Sequence, residues 1–283
     1  MIKEVAVVQY SLMFLLAVVC MAALLTIFFN TRPAAIYSRQ PALALLLLAN
    51  FASAAAIMPF SLIWLSFSLG NIDRSINSET VLVLSGVIAT NFDIVYDCVT
   101  VGVFLQRTCY LAFPLCSMRL VNKVIVSILV VTVVIEVVLF TSLNVSTLGY
   151  QKELQQNCFS FNCVVLPRTI ARLCNLVVKC VASVVNVTLG ISFIVQLKRR
   201  KLQFTRHCEK KVNSFLMYTF IWRCILETVP FFVDLFATIV LRINLGVYLG
   251  AYGSQEWALD ICCTSISYYL ILVKKSKTSS ELC

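Results

Sequence analysis

The sequence predicts an all-α membrane protein, a seven-transmembrane-helix bundle, from three observations. The first is composition: 283 residues are 60% apolar and only 13% charged, with a mean hydropathy of +0.91. A soluble domain of this size would be nearer half apolar and a quarter charged, because its surface has to be solvated. The second is the presence of seven continuous apolar runs, each near the roughly 20 residues that a helix needs to cross about 30 Å of hydrocarbon. The third is the gathering of cations in alternate connecting segments. The shortage of charge also excludes a disordered chain, a nucleic-acid-binding module and a secreted disulfide scaffold.

The runs cover 5–29, 42–68, 80–111, 124–143, 170–196, 212–240 and 252–273. They are apolar throughout, whereas the strands of a membrane barrel alternate over about ten residues, so a barrel is excluded. The first run is about 25 residues long and lacks a small-residue cleavage site, which makes it a span and not a signal peptide. No connecting segment exceeds about 26 residues, too few to bury a core of its own, so the chain reads as one transmembrane domain over 1–283 with a short tail at 274–283. No internal repeat of the transporter kind is visible.

Orientation follows from Lys and Arg. Arg32, Arg39, Arg107, Arg119, Lys123, Lys198, Arg199, Arg200, Lys201, Arg206, Lys210, Lys211, Lys274, Lys275 and Lys277 fall on one side; Lys3, Arg74, Lys152, Arg168 and Arg242 fall on the other. The cation-rich side is cytosolic by the positive-inside rule, so the N-terminus is outside and the tail is in the cytosol. The net charge of +10 is thus an orientation signal and a surface for an anionic inner leaflet, densest in the third inner loop from Lys198 to Lys211. In the outer loop after the fourth helix, Asn144-Val-Ser146 is a candidate glycosylation site. Cys158 and Cys163 share that loop in the oxidising compartment and are candidates for a local disulfide. A second sequon, Asn186-Val-Thr188, lies inside the fifth helix and is read as chance.

Ionisable residues inside a membrane are costly and therefore candidates for function. The third helix has Asp93 and Asp97, four apart on one face; the fourth Glu136; the fifth Arg172 and Lys179; the sixth Arg223, Glu227 and Asp234; the seventh Asp260. Counted from the inner helix ends, Asp93 and Lys179 stand at about 27 and 26 Å, and Asp97 and Glu227 at about 21 and 22 Å. An Asp93–Lys179 bridge and a link from Arg223 to Glu227 or Asp97 are therefore expected. These charges either pair to hold helices three, five and six together, or, with the aromatic walls Phe92, Tyr96, Phe231 and Trp257, line a polar pocket for a small ligand. Both hold at once if a ligand displaces one bridge partner. The ligand-binding candidates are Asp93, Tyr96, Asp97, Lys179, Glu227, Phe231, Asp234, Trp257 and Asp260. The lone His207 lies in a basic loop, Cys and His are not at metal-ligand spacing, and no glycine-rich phosphate loop is present, so neither an enzyme nor a cofactor is expected.

At the inner end of the third helix the chain reads Gln106-Arg107-Thr108-Cys109-Tyr110-Leu111-Ala112-Phe113-Pro114. This resembles the rhodopsin-like pattern of an acid and Arg followed by Pro seven residues after the Arg, with Gln106 in place of the acid. Asn50 and Pro59 stand where such receptors often carry an Asp and a later Pro. The fourth helix lacks Trp, the fifth lacks Pro, and the seventh ends in Ser265-Ile-Ser-Tyr268-Tyr269. That mixture is similar to the nematode serpentine chemoreceptors, and Asn213, Glu227 and Pro230, with Cys158 and Cys163, resemble their class BC.

The resemblance implies a chemosensory G-protein-coupled receptor in the plasma membrane of a sensory neuron or its cilium. A small-molecule cue would bind within the bundle, and a heterotrimeric G protein would engage the inner end. It makes Arg107 the switch, with Tyr110, Pro114, Lys198, Arg199, Arg200 and Lys201 around the coupling surface. With Gln106 supplying no charge to restrain Arg107, some basal signalling is expected. The rival readings are a transporter or channel subunit that uses the buried charges as an ion or proton path, and a receptor paralogue that no longer signals. Epitope tags at Met1 and Cys283 are expected on opposite faces of the membrane; accessibility of both from one side overturns the orientation.

Overall fold

The computed structural model describes residues 3–30, 40–72, 76–113, 117–145, 159–161, 169–199, 207–242 and 251–273. Among them 94% are helical and none lies in a strand, as continuous apolar runs with no two-residue alternation require. In chain order the elements are α1 (Lys3–Asn30), α2 (Pro41–Leu69), α3 (Ile76–Ala112), α4 (Met118–Val145), α5 (Thr169–Arg199), α6 (His207–Arg223), a π-helical turn (Cys224–Thr228), α7 (Val229–Ile239), α8 (Tyr252–Tyr268) and a second π turn (Tyr269–Val273).

Five helices are long and apolar enough to cross a membrane: α1, α2, and the stretches Thr80–Ala112, Arg119–Leu143 and Val177–Arg199 of α3, α4 and α5. The last two predicted runs are helical as well. The first is divided by a π turn and the second ends in one, and both carry ionisable residues (Arg223, Glu227 and Asp234; Glu256 and Asp260), so neither holds an uninterrupted apolar α-helix of that length. Several helices overrun their apolar stretch: α3 starts at Ile76 instead of 80, α4 at Met118 instead of 124, α6 at His207 instead of 212. Apolarity marks only the part that must suit lipid, whereas the backbone keeps its internal hydrogen bonds beyond it. The expected basic loop 198–211 is shortened accordingly. Lys198 and Arg199 form the last turn of α5, where cations suit the helix C-terminus, and Lys211 is buried in α6.

The buried residues of α1 are Ala6, Tyr10, Met13, Ala17, Cys20, Leu24 and Ile27. Their spacing alternates four and three, the seam that packs one helix lengthwise on its neighbours. This seam rests on α2 and α8. Tyr10 stacks on Trp64 at 5.8 Å and donates its hydroxyl to the Phe159 carbonyl at 3.1 Å. α2 begins on Pro41, whose missing N–H costs nothing in a first turn, and ends at Gly70 with φ +88°. That left-handed position favours glycine and lets the chain close on the Phe67 and Ser66 carbonyls.

α3 is the central element and packs on α2, α4 and α5. Asn91 reaches Thr141 at 2.8 Å, Cys98 donates to Glu136 at 3.1 Å and Gln106 reaches Asn122 at 2.6 Å, so α3 and α4 run antiparallel. Phe104 packs on Phe193 of α5 at 6.3 Å and on Phe220 of α6 at 6.0 Å.

The opposite faces are apolar. On α4, Val124, Ile128, Val131, Ile135, Val138 and Leu139 are each about half exposed. In water these six alone forgo about 5–10 kcal/mol of transfer free energy, as much as the whole stability of an ordinary domain. Facing lipid they forgo nothing. α1 (Val8, Leu15, Val19), α5 (Val177, Val181, Ile191) and α7 (Val229, Val233, Phe236) present similar surfaces, which identifies the environment as a bilayer.

At Gly190 the Phe220 ring lies where a Cβ would stand. That ring is also held edge-on against Phe104, so it cannot swing clear at no cost. Gly190→Ala is expected to destabilise the protein by about 1–3 kcal/mol, read as a lower Tm of the detergent-solubilised chain, and Phe220→Leu is expected to restore part of the loss. An unchanged Tm in Gly190→Ala removes this packing account.

Candidate functional site

The charged residues of α3, α5, α6, α8 and the first π turn converge inside the bundle. Arg223, 2% exposed, is at the centre. One terminal nitrogen lies 2.6 Å from Asp97 Oδ1 and also meets Glu227 one turn on; the other lies 3.2 Å from Asp260 Oδ2. Beneath it the Tyr96 ring lies 4.7 Å from the guanidinium carbon, and the Tyr96 hydroxyl donates to Asp260 Oδ2 at 2.9 Å and lies 3.4 Å from Thr264. The planar fork of Arg, with donors on two edges, suits a site where carboxylates approach from different helices. Lys179 pairs with Asp93 one turn from Asp97.

Both ion pairs expected from helix heights are thus formed, and Arg223 has Asp97 and Glu227 together. Asp260 joins them, a contact that helix heights do not reveal. Heights alone carry no information on the rotation of α8; the clue was the spacing of Asp260 and Thr264, four apart on one face. Tyr96, expected as a pocket wall, is fully buried and spends its hydroxyl inside the cluster. Trp257 is 6% exposed, Phe231 packs edge-on against Phe232 at 5.6 Å, and Asp234 is half-buried in α7. Two residues with no assigned role also belong here. Glu256 lies one turn before Asp260 on α8, within electrostatic reach of Lys179 and Asp234. Asn186, taken as a chance sequon, is 4% exposed on the face of α5 that carries Lys179, so no glycan fits there.

At the other end of α3, Gln106 donates its amide to Tyr110 at 3.0 Å and to Asn122 at 2.6 Å, and Tyr110 also donates to Asn122. Gln106 therefore ties α3 to α4. Arg107 is 8% exposed, with its guanidinium 5.9 Å from the Tyr110 ring. Asn122 was not singled out because the fourth helix was expected to start beyond it. Pro114, Arg200, Lys201, Cys158 and Cys163 lie outside the described residues, as does the Asn144 side chain at the end of α4. Among the described residues no group of three or more His, Cys, Asp or Glu side chains is placed to hold a metal ion.

The chain matches no family model and no curated protein.

Removing one member of a buried pair leaves an uncompensated charge, at a cost of about 3–5 kcal/mol. Lys179→Ala is accordingly expected to lower the yield of folded protein, and Asp93→Ala in the same chain to restore part of it. Simple additivity of the two changes in a double-mutant cycle removes the pair as a stabilising unit.

Proposed function

We propose that the chain is a seven-transmembrane chemosensory receptor of the plasma membrane, with α6, the first π turn and α7 as the sixth span and α8 with the second π turn as the seventh. The observation that carries this reading is the Arg223 cluster. A single guanidinium joins α3, the π turn after α6, and α8 through Asp97, Glu227 and Asp260. A small molecule that competes for any of these carboxylates changes how three spans are held, so binding and bundle geometry are linked.

The inner end supplies the output. Arg107, Tyr110, Gln106 and Asn122 form a polar patch at the end of α3, and rearrangement there, with the basic residues from Lys198 onward, exposes a surface for a heterotrimeric G protein at the anionic leaflet. The likeness to serpentine chemoreceptors of nematodes supplies the receptor class and the sensory-neuron location. An ion or proton path is the weaker reading. Arg223, held by three carboxylates and 2% exposed, does not give up its proton and fills the middle of any such route with a fixed side chain.

In cells that report second messengers, Arg107→Ala is expected to abolish G-protein activation with surface expression intact. Asn122→Ala is expected to raise basal signalling, because it releases Gln106 and Tyr110 from α4. Ion currents or uptake that track Asp93 and Lys179, in place of G-protein activation, overturn the receptor reading.

A further inference from the structure

Among the described side chains, which do not include Arg172, the charges inside the bundle do not balance: Asp93, Asp97, Glu227 and Asp260 oppose Lys179 and Arg223, four formal negatives against two positives. Glu256 of α8 stands beyond them, within electrostatic reach of both Lys179 and Asp234 of α7. From the helix ends, Glu256 is about 6 Å and Asp234 about 8 Å inside the bundle, and Asp260 about 12 Å. The acids therefore form an entrance that draws cations inward, in a low-dielectric surrounding where the field is strong.

The second observation is independent of the acids. Lys179, Ser183, Asn186, Gly190 and Phe193 share one face of α5. The Lys179 end of this face meets Asp93, and the Gly190 and Phe193 end meets Phe220 and Phe104. Asn186 is between them on that face. It is 4% exposed, and neither its amide oxygen nor its amide nitrogen has a partner among the described residues. Asp260, 1% exposed, keeps Oδ1 unpartnered while Oδ2 serves Tyr96 and Arg223. A buried amide favours a hydrogen-bond partner, so Asn186 and Asp260 Oδ1 offer open positions to a polar ligand.

We infer that this interior takes a small organic cation, a protonated amine, whose ammonium group answers the surplus carboxylate charge and donates to the Asn186 amide oxygen. The inference rests on the receptor reading only for what binding achieves. An ammonium with three donors matches carboxylate and amide acceptors, and the half-buried aromatic Phe231 and Tyr252 near the entrance suit a cation. A carboxylate ligand meets the opposite field, and a neutral one leaves the charge surplus unanswered. Arg223 closes the floor, so the cation binds and stops.

The test uses the full chain in lipid nanodiscs and three probes of equal length: hexylamine, hexan-1-ol and hexanoate. Hexylamine is expected to raise Tm in a concentration-dependent way and the other two to leave it in place. Asn186→Leu, and separately the pair Asp234→Asn with Glu256→Gln, are expected to weaken the hexylamine effect about tenfold. Stabilisation by hexanoate, equal stabilisation by all three, no stabilisation by hexylamine, or an undiminished hexylamine effect in both variants overturns the inference. Amine-selective stabilisation without G-protein activation leaves the cation site in place and removes the receptor; activation by a neutral cue with no amine effect on Tm does the reverse.

Discussion

A charge that cannot lose its proton, placed where water is scarce, dictates much of this molecule. Arg223 is permanently cationic and almost wholly buried, so the helices around it must supply acceptors or the chain does not fold. Asp97 and Asp260 come from helices far apart in sequence, and their meeting on one guanidinium sets the relative height and rotation of α3, α6 and α8. Tyr96 completes the arrangement by placing its ring under the cation and its hydroxyl on Asp260. The apolar seam of α1 and the ring contacts of Trp64 with Tyr10 and Phe67 hold the periphery, where lipid-compatible surfaces only need to fit.

How much of this was legible varies with the physics involved. Helix positions were readable because hydrocarbon thickness imposes a length, and the Asp93–Lys179 pair was readable because rise per residue converts sequence into height. Height says nothing of rotation, so Asp260 stood among the expected ligand contacts and not as a partner of Arg223. Asn122 was hidden because α4 starts at Met118, several residues before its apolar run. The π turn Cys224–Thr228 was equally hidden, since nothing in Cys-Ile-Leu-Glu-Thr marks five-residue hydrogen bonding; Pro230, which removes one backbone donor, was the only local hint of a break. Asn186 was dismissed as a sequon because its surroundings are long-range.

α3 carries both polar assemblies. Asp97 and Arg107 are ten residues apart, about 15 Å along one continuous helix, with Phe104 packed on Phe193 and Phe220 between them. A rigid rod of that kind transmits displacement with little loss, and the aromatic contact at Gly190 keeps α5 and α6 against it. The Arg223 cluster and the Gln106–Asn122 tie are thus held by one continuous helix.

The π turn at Cys224–Thr228 sets where this helical run can change length. A π turn accommodates one residue more than the α-helical path needs, so deleting one residue there lets the segment close as ordinary α-helix and leaves the downstream face where it was. The same deletion in the regular turns of α6 has nothing to absorb it and swings everything downstream by about 100° around the axis, carrying Asp234 off its present side. The bend is thus a slack point, and the straight helix before it is not.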